Sequence, residues 1–169
     1  LNKVADEALK SAKSVVDTLV DPQSFVESDR FIRSATALGE ATGEGVVSGF
    51  ATISDVQVGV FAISGDILKG SIGKANANKI AKCINNAIKT DSPVIGVVDT
   101  QGARFAEGIE AMEGYGEIFA AFSSAYGVVP TILVVKGSNY GLTSYLSSVC
   151  DFTICYDKSV TATSSPLIL

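Results

Sequence analysis

Histidine is missing from all 169 residues. Its absence removes imidazole as a base and rules out a serine triad built on Ser123 or Ser144. Cysteine is scarce: Cys83, Cys150 and Cys155 form no Cys-x-x-Cys pair. Without histidine they do not make up a zinc site, so no metal is expected, and they read as reduced thiols of a cytoplasmic protein. Basic charge is also short, with 13 Lys and Arg against 18 Asp and Glu and a net charge of −5. No basic run interrupts this balance, which argues against a nucleic-acid binder. No apolar run approaches the ~20 residues of a membrane span. No basic segment followed by an apolar core opens the chain, so no secretion signal is indicated. A Walker phosphate loop is absent.

What remains is apolar for its size. Hydrophobic residues make up 47% of the chain and charged residues 18%, which suggests one domain whose strands are buried on both faces. The opening Leu1 and the apolar end Ser164-Ser165-Pro166-Leu167-Ile168-Leu169 read as cuts from a longer protein.

The apolar spacing predicts an amphipathic helix over 2–18, stopped by Asp21-Pro22, and a short extended or turn segment over 24–31. Residues 33–45 read as a polar loop. Strands are expected over 46–53 and 56–63, joined at Ser54-Asp55 as a hairpin. A Gly-containing loop, 65–73, leads to a helix over 74–89. The buried strand Val94 to Val98 ends in the turn Asp99-Thr100-Gln101-Gly102, and a helix follows over about 105–126. Gly108, Gly114 and Gly116 each weaken that helix by ~1 kcal/mol against alanine, so close packing against another element is expected there. A strand over 131–135, a second turn at Gly137-Ser138-Asn139-Tyr140-Gly141, a short helix over 142–149 and a strand over 151–156 complete the pattern. Repeated strand–turn–helix units argue an α/β fold.

Both glycine turns follow a strand and open a helix. If the two strands are neighbours, backbone N–H groups from both turns reach one crevice at the carboxyl edge of the sheet. Two such donors can hold one oxygen, the geometry of an oxyanion hole, where a donor is worth ~3–4 kcal/mol. Ordinary connections are the other reading of the same glycines. Gly70-Ser71-Ile72-Gly73, flanked by Lys69 and Lys74, either receives a phosphate at a helix start or simply begins the helix. Arg104 either binds an anion or pairs with Glu107 or Glu110. Glu107, Glu110, Glu113 and Glu117 read as a solvated face.

Five segments, taken in order, carry a resemblance: DPQSFVE (21–27), GEGVVSGFATI (43–53), KGSIGKANANKIAK (69–82), PVIGVVDTQGARFAEGIEAMEGYGEIF (93–119) and VVKGSNYGLTSYLSSVCDFTICYD (134–157). Together they resemble the amino-terminal half of the carboxyltransferase subunit of biotin-dependent acyl-CoA carboxylases. The resemblance implies an α/β crotonase-like (ClpP-like) spiral of ββα units, with 1–20 as a helix leading in and 21–169 as the acyl-CoA-binding domain. It implies acyl-CoA as substrate and carboxybiotin on a partner carrier as carboxyl donor. Biotin carboxyl carrier protein, biotin carboxylase and a homo-oligomer, a dimer or hexamer, are the implied partners. On this reading the enolate donors are N–H groups around Gln101, Gly102, Gly141 and Leu142. Lys69, Gly70, Ser71, Gly73 and Arg104 line or neutralise the CoA path. Gln101, Leu142 and Lys69 each stand where the family usually has glycine, which leaves a degenerate assembly subunit, or a biotin-independent enzyme using Glu107 or Glu110 as base, as alternatives.

Overall fold

A computed structural model describes residues 12–33 and 44–164. Helix α1 covers residues 12–19 of the described chain, and the rest of the helix expected over 2–18 lies outside the described residues, as does most of the 33–45 loop. Strands β1 (Val26–Ser28), β2 (Val46–Ile53) and β3 (Val56–Ile63) precede helix α2 (Lys74–Lys89). Strand β4 (Val94–Thr100), helix α3 (Ile109–Ala125), strand β5 (Thr131–Tyr140), helix α4 (Leu146–Val149) and strands β6 (Phe152–Cys155) and β7 (Val160–Ala162) follow.

The sheet runs β1-β2-β3-β4-β5-β6, and β7 also pairs with β5. The β1–β2 and β2–β3 pairs are antiparallel, while β3, β4, β5 and β6 run parallel. The β2–β3 hairpin turns at Ser54 and Asp55 with φ of 51° and 65°, both left-handed as a two-residue hairpin turn requires. The carboxylate of Asp21 steadies this turn by accepting the Ser54 and Asp55 N–H groups, each at 3.0 Å.

Alternation along the central strands feeds two cores. Val46, Phe61, Val98 and Leu133 face α2 and α3, with Ile80, Ile84, Ile118 and Phe122 opposite them. Val47, Val60, Val97 and Val134 face the other way and are covered by Ala12, Val16 and Val20. The apolar composition thus reflects strands buried on both faces. The lead-in helix is part of the fold, since its described residues supply one wall of the second core.

Four elements differ from expectation, one being the short helix over 142–149, which is a 3₁₀ segment over Gly141–Tyr145 followed by α4. Strand β4 runs on to Thr100, and β5 runs on to Tyr140, through the segment read as a turn. The cause is β7, which pairs in parallel with Ser138, Asn139 and Tyr140 and keeps them extended. The helix expected over 105–126 is broken: Phe105–Glu107 form a 3₁₀ turn, Gly108 takes φ +56°, and α3 starts at Ile109. Of the three glycines there, Gly114 is the close approach: a Cβ would stand 2.7 Å from the Ala77 Cβ on α2. Gly116 faces open space. Gly116→Ala should therefore raise stability by about 1 kcal/mol, while Gly114→Ala should lower it by about 1–3 kcal/mol through forced separation of α2 and α3; urea melts of the two variants check this.

Buried ionisable groups give the fold an alkaline limit. Burial pushes the Cys83 thiol up from 9.0 to about 11, and the Tyr115 phenol up from 10.0 to about 12. A raised folded pKa means stability that is intact below pH 9 and lost as pH climbs towards 11 for Cys83. Lys79 acts in the opposite sense, because burial lowers its pKa from 10.5 and its contribution improves as pH rises. The acidic groups outnumber it, so unfolding free energy should fall above pH 9, and Cys83→Ala should remove of the order of 3 kcal/mol of that decline. Denaturant melts from pH 8 to 11 read both.

Candidate functional site

The two glycine segments read as turns meet. Strands β4 and β5 are neighbours, with Val98 opposite Val135 but Thr100 opposite Asn139, so β5 carries two extra residues in a bulge. That bulge is held by Asp99, whose carboxylate accepts the Ser138 N–H at 2.9 Å. It fits because a glycine lies on either side: a Cβ on Gly65 or Gly137 would stand 2.6 or 2.5 Å from the carboxylate oxygens. Beyond the bulge the tips touch. A Cβ on Gly102 would lie 3.7 Å from Gly141 Cα, and one on Gly141 would lie 3.6 Å from Gly102 Cα. Both take left-handed φ, +101° and +70°.

The donors at these tips differ in availability. The Gln101 N–H donates to Lys69 O at 3.0 Å, and the Gly102 N–H donates to Thr100 Oγ1 at 3.0 Å. A ligand oxygen at either amide would have to share or displace an internal acceptor. One residue on, Ala103 forms a parallel bridge with Ile72 through its neighbours: Ile72 N–H donates to Gly102 O, and Arg104 N–H donates to Ile72 O. The Ala103 N–H itself finds no acceptor among the described residues. Leu142 lies in the first turn of the 3₁₀ segment Gly141–Tyr145, where an N–H has no partner within the helix. Ala103 escaped the sequence reading because only the contacts with Lys69, Thr100 and Ile72 show which amides of that turn are spent.

The three residues standing where the family usually has glycine fare differently. Gln101 and Leu142 keep negative φ, so neither is strained. The Leu142 side chain packs against the main core, and the Gln101 side chain donates to Ser138 Oγ at 3.0 Å. Lys69 takes φ +55°, a conformation that costs a non-glycine residue about 1–2 kcal/mol.

Arg104 is 4% exposed. Its guanidinium donates to Glu44, to Glu107 Oε1 at 2.9 Å, to Ser71 Oγ at 3.3 Å and to Ser71 O at 3.1 Å. Of the two readings offered for Arg104, the ion pair is the one formed. Glu107 likewise leaves the solvated face assigned to it: it is 7% exposed, and its Oε2 accepts the Lys74 N–H at 2.8 Å. Glycine at position 73 lets that carboxylate come close, since a Cβ would stand 2.3 Å from it. The start of α2 thus already holds an anion, the chain's own, with Asn76 Oδ1 accepting the Gly73 N–H at 2.8 Å. Lys74 Nζ pairs with Glu113 at 2.8 Å, and Lys69 is exposed. Glu110, Glu113 and Glu117 are exposed, as expected of a solvated face. Among the described residues no cluster of His, Cys, Asp or Glu could hold a metal ion, and no helix is long and apolar enough to cross a membrane.

Residues 7–168 match the family model described as the carboxyl transferase domain. The chain belongs to that family. It is 36% identical over 155 residues to the propionyl-CoA carboxylase beta chain of Saccharopolyspora erythraea, covering 89% of this chain and 28% of that protein. It is 38% identical over 150 residues to the human mitochondrial propionyl-CoA carboxylase beta chain, covering 85% and 28%. The methylmalonyl-CoA decarboxylase subunit alpha of Veillonella parvula is 37% identical over 147 residues, covering 84% and 29%. The carboxyl transferase chain thus spans under a third of the length of these relatives. A crystal structure of transcarboxylase 12S with methylmalonyl-coenzyme A bound superposes with a TM-score of 0.90 at 28% identity, over 99% of this chain and 34% of that one. The fold is therefore the crotonase-like α/β spiral of carboxyltransferases.

Proposed function

We propose that this carboxyl transferase domain binds acyl-CoA and steadies the enolate of its thioester with backbone N–H groups during carboxyl transfer. The observation that supports the reading is the close approach of the Gly102 and Gly141 tips, from which donors of both segments could reach one oxygen. Of the amides named from sequence, Leu142 is the open one in the second turn, and Ala103 joins Gln101 and Gly102 in the first. A developing oxyanion gains most from donors that are fixed before the reaction, and these lie just past the ends of two central strands. On this reading the α-proton leaves to a group the substrates bring. Biotin, delivered carboxylated by a carrier protein, supplies both the carboxyl group and a ureido acceptor for that proton.

The transcarboxylase 12S structure, a hexamer assembly with methylmalonyl-coenzyme A bound, supports acyl-CoA as ligand and a homo-oligomer as the working form. The relatives named as propionyl-CoA carboxylase beta chains support a further carboxylase chain as partner, and we take biotin carboxylase and biotin carboxyl carrier protein to fill that part. We take residues 21–169 as the acyl-CoA-binding unit, with Lys69, Gly70, Ser71 and Gly73 beside the CoA path and Arg104 holding that loop from beneath. Three free thiols accord with a reducing, cytoplasmic setting. Glu107 is a poor base for biotin-independent chemistry, because both its oxygens already accept hydrogen bonds.

Calorimetric titration of the chain with propionyl-CoA tests the reading. Saturable heat is expected, with no turnover until the remainder of a carboxyltransferase and carboxybiotin are supplied. Flat titrations with propionyl-, acetyl- and methylmalonyl-CoA would leave the assembly-subunit alternative standing instead.

A further inference from the structure

Ser138 is gripped twice, by Asp99 on β4 and by Gln101 just beyond its end. Its N–H is held by the Asp99 carboxylate at 2.9 Å, and its Oγ accepts from the Gln101 side-chain amide at 3.0 Å. Gln101 is itself anchored, since its own N–H donates to Lys69 O at 3.0 Å. One residue therefore ties together three segments: the loop after β3, the first turn, and the bulge of β5. The bulge sets where the second turn emerges, because its two extra residues bring Asn139 opposite Thr100 and Gly141 against Gly102. Asp99 alone fixes only one main-chain group of that bulge. The Gln101 contact fixes the side chain of the same residue and so removes rotation about it.

We propose that Gln101 is a positioning residue: its side-chain clasp on Ser138 sets the separation between the Ala103 and Leu142 amides. This rests on the acyl-CoA reading for its consequence, but the clasp itself does not. A glycine at position 101 could not make this contact, having no side chain. The clasp replaces backbone freedom at the first turn with a fixed cross-link between the turns. Fixing donors in advance matters because small misplacements of a reacting group carry large costs.

Two measurements test it. Affinities for propionyl-CoA and for S-propyl-CoA, the thioether with a methylene in place of the carbonyl, are compared in the wild-type chain, Gln101→Met, Ser138→Ala and the double variant. The ratio reads the carbonyl's hydrogen bonds alone. It should be about tenfold in the wild type and under about threefold in each variant. The double variant should be no worse than either single one, as expected of one shared interaction. Hydrogen exchange over residues 138–142 is measured alongside, without ligand, and should quicken several-fold in both single variants. Unchanged exchange and an unchanged ratio would overturn the clasp. Faster exchange in a chain that binds neither CoA compound would uphold the clasp and defeat the acyl-CoA reading.

Discussion

Arg104→Ala should cost the domain about 3–5 kcal/mol, enough to leave little of it folded at physiological temperature. The guanidinium is buried, and its three nitrogens reach Glu44, Glu107 and both Oγ and O of Ser71. Removing it leaves two carboxylates that are each buried, at 2% and 7% exposure, without their shared cation. Arg104→Lys should recover only part of the loss, since one ammonium cannot span the fork that reaches Ser71 and both acids. Urea denaturation of the three proteins measures this. A change below about 1 kcal/mol in Arg104→Ala would show that water penetrates the cluster and that the pair is worth no more than a surface one.

The second large effect belongs to Gly70. Its φ is +67°, and a Cβ there would stand 2.1 Å from Asp99 O, a main-chain atom in the centre of the sheet that cannot yield. Gly70→Ala combines a left-handed alanine with a backbone collision, together about 2–4 kcal/mol. The loop must lift off β4. Lys69 O then leaves the Gln101 N–H, and Ser71 leaves the Arg104 guanidinium. Acyl-CoA affinity should fall at least tenfold in whatever fraction remains folded. Thermal melts with and without propionyl-CoA separate the two losses.

Much of the architecture is legible in the residues themselves. Ser54-Asp55 between two apolar runs gives the hairpin, and the period of Ala77, Ile80, Ala81 and Ile84 gives α2. The run from Val94 to Val98 gives a central strand. The adjacency of the two turns is conditional in the sequence, because strand order is a long-range property. It becomes definite only through the β4–β5 pairing. Other features rest on partners far along the chain and leave no local trace. Arg104 meets Glu44 across sixty positions, and Ser138 meets Asp99 across thirty-nine. Glu107 has the spacing of an exposed helical row, yet Gly108 breaks the helix after it and turns the carboxylate onto the start of α2. The amides named as donors show the same limit. Spacing marks the turn, but only the bonds to Lys69 O and Thr100 Oγ1, with the pairing of Ile72 and Ala103, show which N–H groups the fold has already used.

The central claim is that one amide from each loop tip grips the same carbonyl. Amide nitrogen–proton shifts of the chain, followed as propionyl-CoA and then S-propyl-CoA are added, test it most directly. The account predicts that the Ala103 and Leu142 signals move strongly downfield with the thioester and little with the thioether. Saturation by the thioester with both signals unmoved would contradict it.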